Sequence, residues 1–163
     1  MSIKGRALVM GDNVNTDVLH PSQFFSLDSD RVRAGFLQAA RGYEGLGRSN
    51  LSDRIVVAGE NFGCGSSRET GARAFLLAGV RAIVARSLAH IFSRNVRNLG
   101  LVAVECPDLY SLPEQGSEVE INLENYELII SATGRSFSVN RLDPYWEAIM
   151  KSGGLMRFLQ YAE

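Results

Sequence analysis

The sequence predicts an α/β domain with a parallel βαβαβ core and additional antiparallel strands. Three observations carry that expectation. The short apolar runs Ile55–Ala58, Ala82–Ala85 and Leu101–Val104 read as strands covered on both faces. The two stretches between these runs have helical periodicity and short links, as right-handed crossovers require. Beyond Pro107 the pattern changes to period two, in Glu118–Leu123 and Ser136–Val139 with Leu128–Ile130 between them, as half-exposed antiparallel strands read.

In chain order, Arg6–Met10 predicts a first strand, and the Asp-, Asn- and Pro-rich residues 11–23 predict an ordered loop. Residues 28–53 show weak helical periodicity around Val32, Phe36 and Leu37. With Gly42, Gly45 and Gly47 as soft points, the stretch 24–53 is expected to be mobile. Ser66 and Glu69 have capping-box spacing for a helix over 68–78 that Gly79 closes, with Ala72, Phe75 and Leu76 as its buried stripe. Ser87 is placed to cap a second helix whose inward face is Leu88, Ile91, Phe92, Val96 and Leu99, ending at Gly100. Asp143-Pro144 supplies an N-cap and an N1 proline for a closing helix that packs near Tyr145, Trp146, Ile149 and Met150. A last amphipathic turn carries Leu155, Phe158 and Leu159.

The chain has 163 residues, 45% apolar and 21% charged, which suits one domain spanning 1–163 with no need of a staple. A formal net charge of −1 gives no global field for nucleic acid or anionic lipid. Neither a signal-peptide core nor a run of transmembrane length is present, so the cytoplasm is the expected location. The two cysteines, Cys64 and Cys106, are far apart, and an iron–sulfur cluster usually takes three or four thiolates. No metal site and no cofactor are expected in this chain.

The chemistry concentrates in Asn61-Phe62-Gly63-Cys64-Gly65-Ser66-Ser67-Arg68-Glu69. Its glycines permit close backbone approach, and the helix that follows aims unpaired N–H groups and a positive dipole end at whatever sits above. Ser66 and Ser67 add hydroxyls, and Arg68 adds a planar fork matched to a carboxylate or phosphate. The product is an anion cradle, lacking both the Gly-Lys-Ser/Thr ending of a Walker loop and the three-glycine spacing of a dinucleotide fingerprint. A plain strand-to-helix turn would use the same residues. Against that stands a second polar loop, Gly11-Asp12-Asn13-Val14-Asn15-Thr16-Asp17, which could share the sheet edge and bring Thr16 and Asp17 to Arg68. Cys64 is expected to pack as a small residue, His90 to face solvent or a partner, and Arg81, Arg86, Arg94 and Arg97 to form a solvated face.

These motifs resemble the swivelling β/β/α domain of the aconitase superfamily, and within it the separate small subunits of the 3-isopropylmalate dehydratase and homoaconitase type. The nine-residue loop, the Gly11–Asp17 motif, Gly79–Ser87, Ile91–Asn95, Asn98–Leu101 and the Asp143–Leu155 stretch all carry the likeness, in order and over nearly the whole chain. The resemblance implies a hydro-lyase, active only with a large subunit that holds a [4Fe-4S] cluster. Such an enzyme moves a hydroxyl between adjacent carbons of a hydroxy di- or tricarboxylic acid, as in leucine biosynthesis. It implies Ser66 as catalytic base, Arg68 and Ser67 as carboxylate contacts, Thr16 and Asp17 beside the site, and the partner's open iron as Lewis acid.

The segment after Pro21 departs from the pattern. The aromatic-apolar start is kept in Phe24 and Phe25, but the usual basic residue is missing near Ser26, where Arg31 or Arg33 could substitute after a loop shift. His20 stands where an aliphatic residue is common, and Thr70-Gly71 replaces a common His-Ala. Phe24, Phe25, Ser26 and Arg31 are thus the expected specificity loop, favouring an apolar side group as in isopropylmalate. Homoaconitase, a citraconate or dimethylmalate hydratase, and a non-catalytic acid-binding module are the alternatives. Exposed partner surface could drive self-association of the isolated chain.

Overall fold

The computed structural model describes residues 1–161. One seven-stranded sheet organises the chain, in the order β4-β3-β2-β1-β5-β6-β7, where β1 is Ser2–Met10, β2 Arg54–Ala58, β3 Ala82–Ala85, β4 Val102–Glu105, β5 Glu118–Asn122, β6 Glu127–Ile130 and β7 Arg135–Ser138. β1 to β4 are mutually parallel, and β5 to β7 form an antiparallel meander. The strand β1 joins the two halves. Its residues 6–10 pair parallel with β2, and its residues 2–6 pair antiparallel with β5. This explains why β1 begins at Ser2 rather than at Arg6. Ser2-Ile3-Lys4-Gly5 has no apolar run, and a partner 120 residues away in sequence makes it a strand (Ser2 opposite Asn122).

The helices are α1 (Thr16–Leu19), α2 (Ser29–Ala34), α3 (Glu69–Ala78), α4 (His90–Asn98), α5 (Pro144–Lys151) and α6 (Leu155–Tyr161). One face of the parallel strands, with Leu8, Val56, Ile83 and Ala103, packs against α1 to α4 through Leu19, Val32, Phe75 and Phe92. The opposite face, with Ile55, Val57, Val84 and Val104, shares a core with Val119, Ile121, Leu128 and Phe137 of the meander. The sheet therefore curls over itself. The Asn140 N–H, just past β7, donates to the Glu105 carbonyl at the end of β4 at 2.7 Å. Strands buried on both sides need apolar residues at every position, which is why β2 and β3 read as unbroken runs.

Several local expectations change. Residues 11–23 are not wholly loop, because the Asn15 side chain caps α1 by accepting the Asp17 N–H at 2.8 Å, and Ser22–Phe24 makes a 3-10 turn. Ser66 does not close a capping box, since α3 starts one residue later with Arg68 as its N-cap and no side chain capping it. Nor does Ser87 cap α4, whose N-cap is Ala89; the Ser87 hydroxyl accepts the Asn61 N–H at 2.8 Å instead. Leu76 and Ile91 are 43% and 49% exposed rather than inward. On α3 the buried face is built instead on Phe75 with Ala72, Ala74 and Ala78, and on α4 on Phe92, Ser93 and Val96. Asp143 caps α5 as expected, accepting the Tyr145 N–H at 2.8 Å. Arg86 and Arg97 leave the solvated face, because each is half-buried and donates to a backbone carbonyl, Leu109 and Ala103 respectively. No helix among the described residues is long and apolar enough to cross a membrane.

Candidate active site

The loops that leave β1, β2 and β3 all emerge at the carboxyl edge of the parallel strands, where open α/β sheets place ligands. They are laced side by side. The Gly59 N–H donates to the Met10 and Gly11 carbonyls, Glu60 N–H to Asp12 Oδ1 at 2.7 Å, Asn13 N–H to the Glu60 carbonyl at 2.8 Å, and Gly63 N–H to the Val14 carbonyl at 2.9 Å. Donation alternates between the two loops and continues to do so further on. Thr16 N–H donates to the Cys64 carbonyl at 2.7 Å, and Ser66 N–H donates to Thr16 Oγ1 at 2.8 Å. On the other flank, Phe62 N–H meets the Ser87 carbonyl and Ala89 N–H meets the Phe62 carbonyl. The parallel ladder thus continues past the strands, and it brings the two polar motifs together as their position in the sequence suggested.

Two glycines are required by this close lacing. Gly63 has φ +81°, and a side chain there would run into the Phe92 ring. Gly65 has φ +103°, and a Cβ would lie 2.6 Å from Asn15 Oδ1. Beneath them, Phe36, Phe62, Phe75 and Phe92 make four edge-to-face pairs with ring centroids 4.7–6.2 Å apart. At about 0.5–1.5 kcal/mol per pair beyond simple burial, this is a stiff floor for the loop.

Above that floor lie the expected chemical groups. Ser66 is half-buried, and its hydroxyl oxygen accepts from Arg68 N–H at 3.2 Å and from the Arg68 guanidinium (Nη1) at 3.3 Å. Ser67 and Arg68 are exposed, and Asn95 of α4 holds the Ser67 carbonyl at 3.2 Å. The uncapped start of α3 leaves its first-turn N–H groups without side-chain partners, facing the same mouth. An alkoxide or carboxylate placed there meets a guanidinium and a helix N-terminus together. Thr16 is buried and Asp17, its neighbour, is exposed; no ion pair joins Asp17 to Arg68 among the described residues.

The segment after Pro21 wraps beside this mouth. The Arg68 guanidinium lies over the Phe25 ring, 4.4 Å from its centroid. Phe25 stacks on His20 with centroids 5.7 Å apart and planes 15° from parallel, and Phe24 meets the same imidazole at a tilt. His20 is fully buried and its Nε2 bonds the Val32 carbonyl at 2.9 Å, while Nδ1 has no partner among the described residues. Burial holds the His20 imidazole below its ordinary range, against a smaller upward pull from the Val32 carbonyl. Arg31 donates to the Gln23 carbonyl at 2.8 Å, and the Ser26 hydroxyl accepts the Asp28 N–H, so both side chains brace their own loop. Arg73 of α3 ties Leu27 and Ser29 to the same region.

Sequence reasoning overlooked Asn15, Asn95, Arg73 and the stacking role of His20. Asn15 carried a readable signal, an Asx N-cap directly before Thr16-Asp17. Asn95 and Arg73 act across elements distant in sequence, and nothing local marks them, whereas His20 meets rings only four and five residues further on. The chain's own donors do not fit a [4Fe-4S] cluster. Cys106 is fully buried with its thiol pushed up to about 11 by that burial, and Cys64 stands alone in the loop. No group of three or more metal-binding side chains gathers among the described residues.

The sequence matches the family described as Aconitase C-terminal domain over residues 12–109, which takes in both laced loops. The chain belongs to that family. This aconitase-type domain is 34% identical to the 3-isopropylmalate dehydratase small subunit of Thermodesulfovibrio yellowstonii, over 97% of the chain and 94% of that protein. It is 33% identical to the 2,3-dimethylmalate dehydratase small subunit of Eubacterium barkeri, over 100% and 99% respectively. The crystal structure of 3-isopropylmalate dehydratase from Methanocaldococcus jannaschii superposes with a TM-score of 0.90 at 31% identity, covering 99% of this chain and 95% of that one. The fold expected from the resemblance, a swivelling-type domain with a mixed sheet, is the fold observed.

Proposed function

We propose that this chain is the small subunit of a heteromeric hydro-lyase, 3-isopropylmalate dehydratase, which interconverts 2- and 3-isopropylmalate in leucine biosynthesis. The observation that carries the reading is the contact between Ser66 and Arg68. A serine hydroxyl is a poor base unless its alkoxide is stabilised, and here a guanidinium donates to it at 3.3 Å beneath an uncapped helix N-terminus. Ser66 takes the proton from the carbon beside a substrate carboxylate. The remaining guanidinium N–H groups of Arg68, with the Ser67 hydroxyl, hold that carboxylate, and Thr16 fixes the Ser66 backbone through its 2.8 Å hydrogen bond. Asp17 flanks the mouth from the start of α1.

The [4Fe-4S] cluster belongs to a large partner subunit, since the thiols of this chain do not fit it. Phe24, Phe25, Ser26 and Arg31 belong to the segment that meets the substrate's side group, and the mobile segment 24–53 yields as the subunits close at its exposed points, Gly42, Gly45 and 48–50. The half-buried rings of Phe24 and Phe25 and the missing cation near Ser26 favour an apolar branch over a third carboxylate. They fit dimethylmalate as well, which makes a dimethylmalate dehydratase subunit the second reading. The deciding assay reconstitutes the chain with its cluster-bearing large subunit and offers 2-isopropylmalate, homoaconitate, citraconate and 2,3-dimethylmalate in parallel. Highest kcat/KM on 2-isopropylmalate is expected. Preference for dimethylmalate would move the assignment to the second reading, and turnover of homoaconitate above both would overturn the apolar-branch argument.

A further inference from the structure

We infer that Phe25 is a positioning residue for Arg68: its ring fixes the plane of the guanidinium, and His20 fixes the ring. The inference rests on the hydro-lyase reading and concerns how its carboxylate clamp is held. Arg68 is exposed and, among the described residues, has no carboxylate partner, so its long side chain would otherwise sample many rotamers. Among the described residues, two groups restrain its head: the Ser66 hydroxyl at 3.3 Å and the Phe25 ring at 4.4 Å. A planar cation over an aromatic face keeps its N–H edge free for a second planar anion, so the stack and a carboxylate are held at once.

The ring is itself locked. Phe25 stacks nearly parallel on His20, whose Nε2 is bound to the Val32 carbonyl at 2.9 Å. Gly35 closes the far side, where an added Cβ would lie 2.8 Å from His20 Nε2 and collide with Phe24. The chain of contacts therefore runs from the α2 backbone through His20 and Phe25 to the guanidinium. A ring committed in this way serves the clamp common to all substrates of the class.

The test is a double-mutant cycle on the reconstituted complex with 2-isopropylmalate. Phe25→Leu is expected to lower kcat/KM by about 2- to 30-fold, the range of a cation–π contact, with Phe25→Tyr restoring it. In the Arg68→Lys background, Phe25→Leu is expected to change kcat/KM by less than about twofold, because the group it positions is gone. If the two factors multiply instead, Phe25 touches substrate directly and the inference falls. If Phe25→Leu alone is silent while Arg68→Lys is impaired, the inference also falls and the clamp stands. An Arg68→Lys variant with wild-type kcat/KM would remove the clamp itself, and the inference with it.

Discussion

Replacing Thr16 with valine isolates the one side-chain bond that ties the two polar loops at the proposed catalytic position. Thr16 is buried, and its Oγ1 accepts the Ser66 N–H at 2.8 Å while its own N–H holds the Cys64 carbonyl. Valine matches threonine in shape and branching, so no cavity forms and the backbone bond survives. The loss is one hydrogen bond at a half-buried amide, about 0.5–1.5 kcal/mol. For a domain of this size that lowers Tm by roughly 1–6 °C. The effect on turnover should be larger, because the freed amide belongs to Ser66, the proposed base. A displacement on the order of an ångström there costs roughly ten- to a hundred-fold in rate. Thr16→Ser keeps the oxygen and is the control. Thermal melts of the chain, with kcat/KM of the reconstituted complex, report both quantities. Wild-type kcat/KM in Thr16→Val, or impairment of Thr16→Ser in its place, would refute the reasoning.

Gly65→Ala places a side chain at φ +103° and 2.6 Å from Asn15 Oδ1. It is expected to destabilise the chain by about 1–3 kcal/mol and to impair turnover more than Thr16→Val does; an unchanged urea midpoint would contradict the lacing. His20→Leu should flatten the acid limb of the stability profile. Since the folded imidazole sits below its ordinary value, the unfolded chain takes up the proton first as pH falls. The contribution of the neutral buried ring is complete above about pH 6.5 and declines below it toward the depressed folded value. Urea unfolding at pH 7.5 and pH 5 checks this, and equal losses in wild type and variant would exclude His20 as the source. Within the proposed mobile segment 24–53, Val32, Phe36 and Leu37 are fully buried, whereas Gly42, Gly45 and residues 48–50 are exposed and Gly47 is buried. Amide exchange should accordingly be slow over 32–37 and fast over 41–50, and uniform protection would remove the mobility proposal.

The parallel core was legible because strands buried on both faces leave no polar positions, so Ile55–Ala58 and Ala82–Ala85 could be read without a partner in view. Ser2–Gly5 was not, because its strand character comes from β5 across the chain. The cradle was legible as a set of residue types, yet its geometry was misread in one respect. Ser66 appeared to cap a helix, whereas the helix starts after Arg68 and leaves both the hydroxyl and the first-turn N–H groups for another use. A capping signature and a catalytic serine are the same letters in the sequence. Only the position of the first helical residue separates them. The stack from His20 to Arg68 joins residues 48 positions apart, and no periodicity announces a contact of that kind.

Ser66 as the base supplied by this chain is the proposal on which the others depend. The measurement is turnover of 2-isopropylmalate by the complex reconstituted with Ser66→Ala, alongside its assembly with the large subunit. Assembly should be intact and turnover abolished, because the alanine keeps the backbone bond from Ser66 N–H to Thr16 and removes only the oxygen that Arg68 polarises. Turnover surviving within a few-fold of wild type in an assembled complex would contradict it.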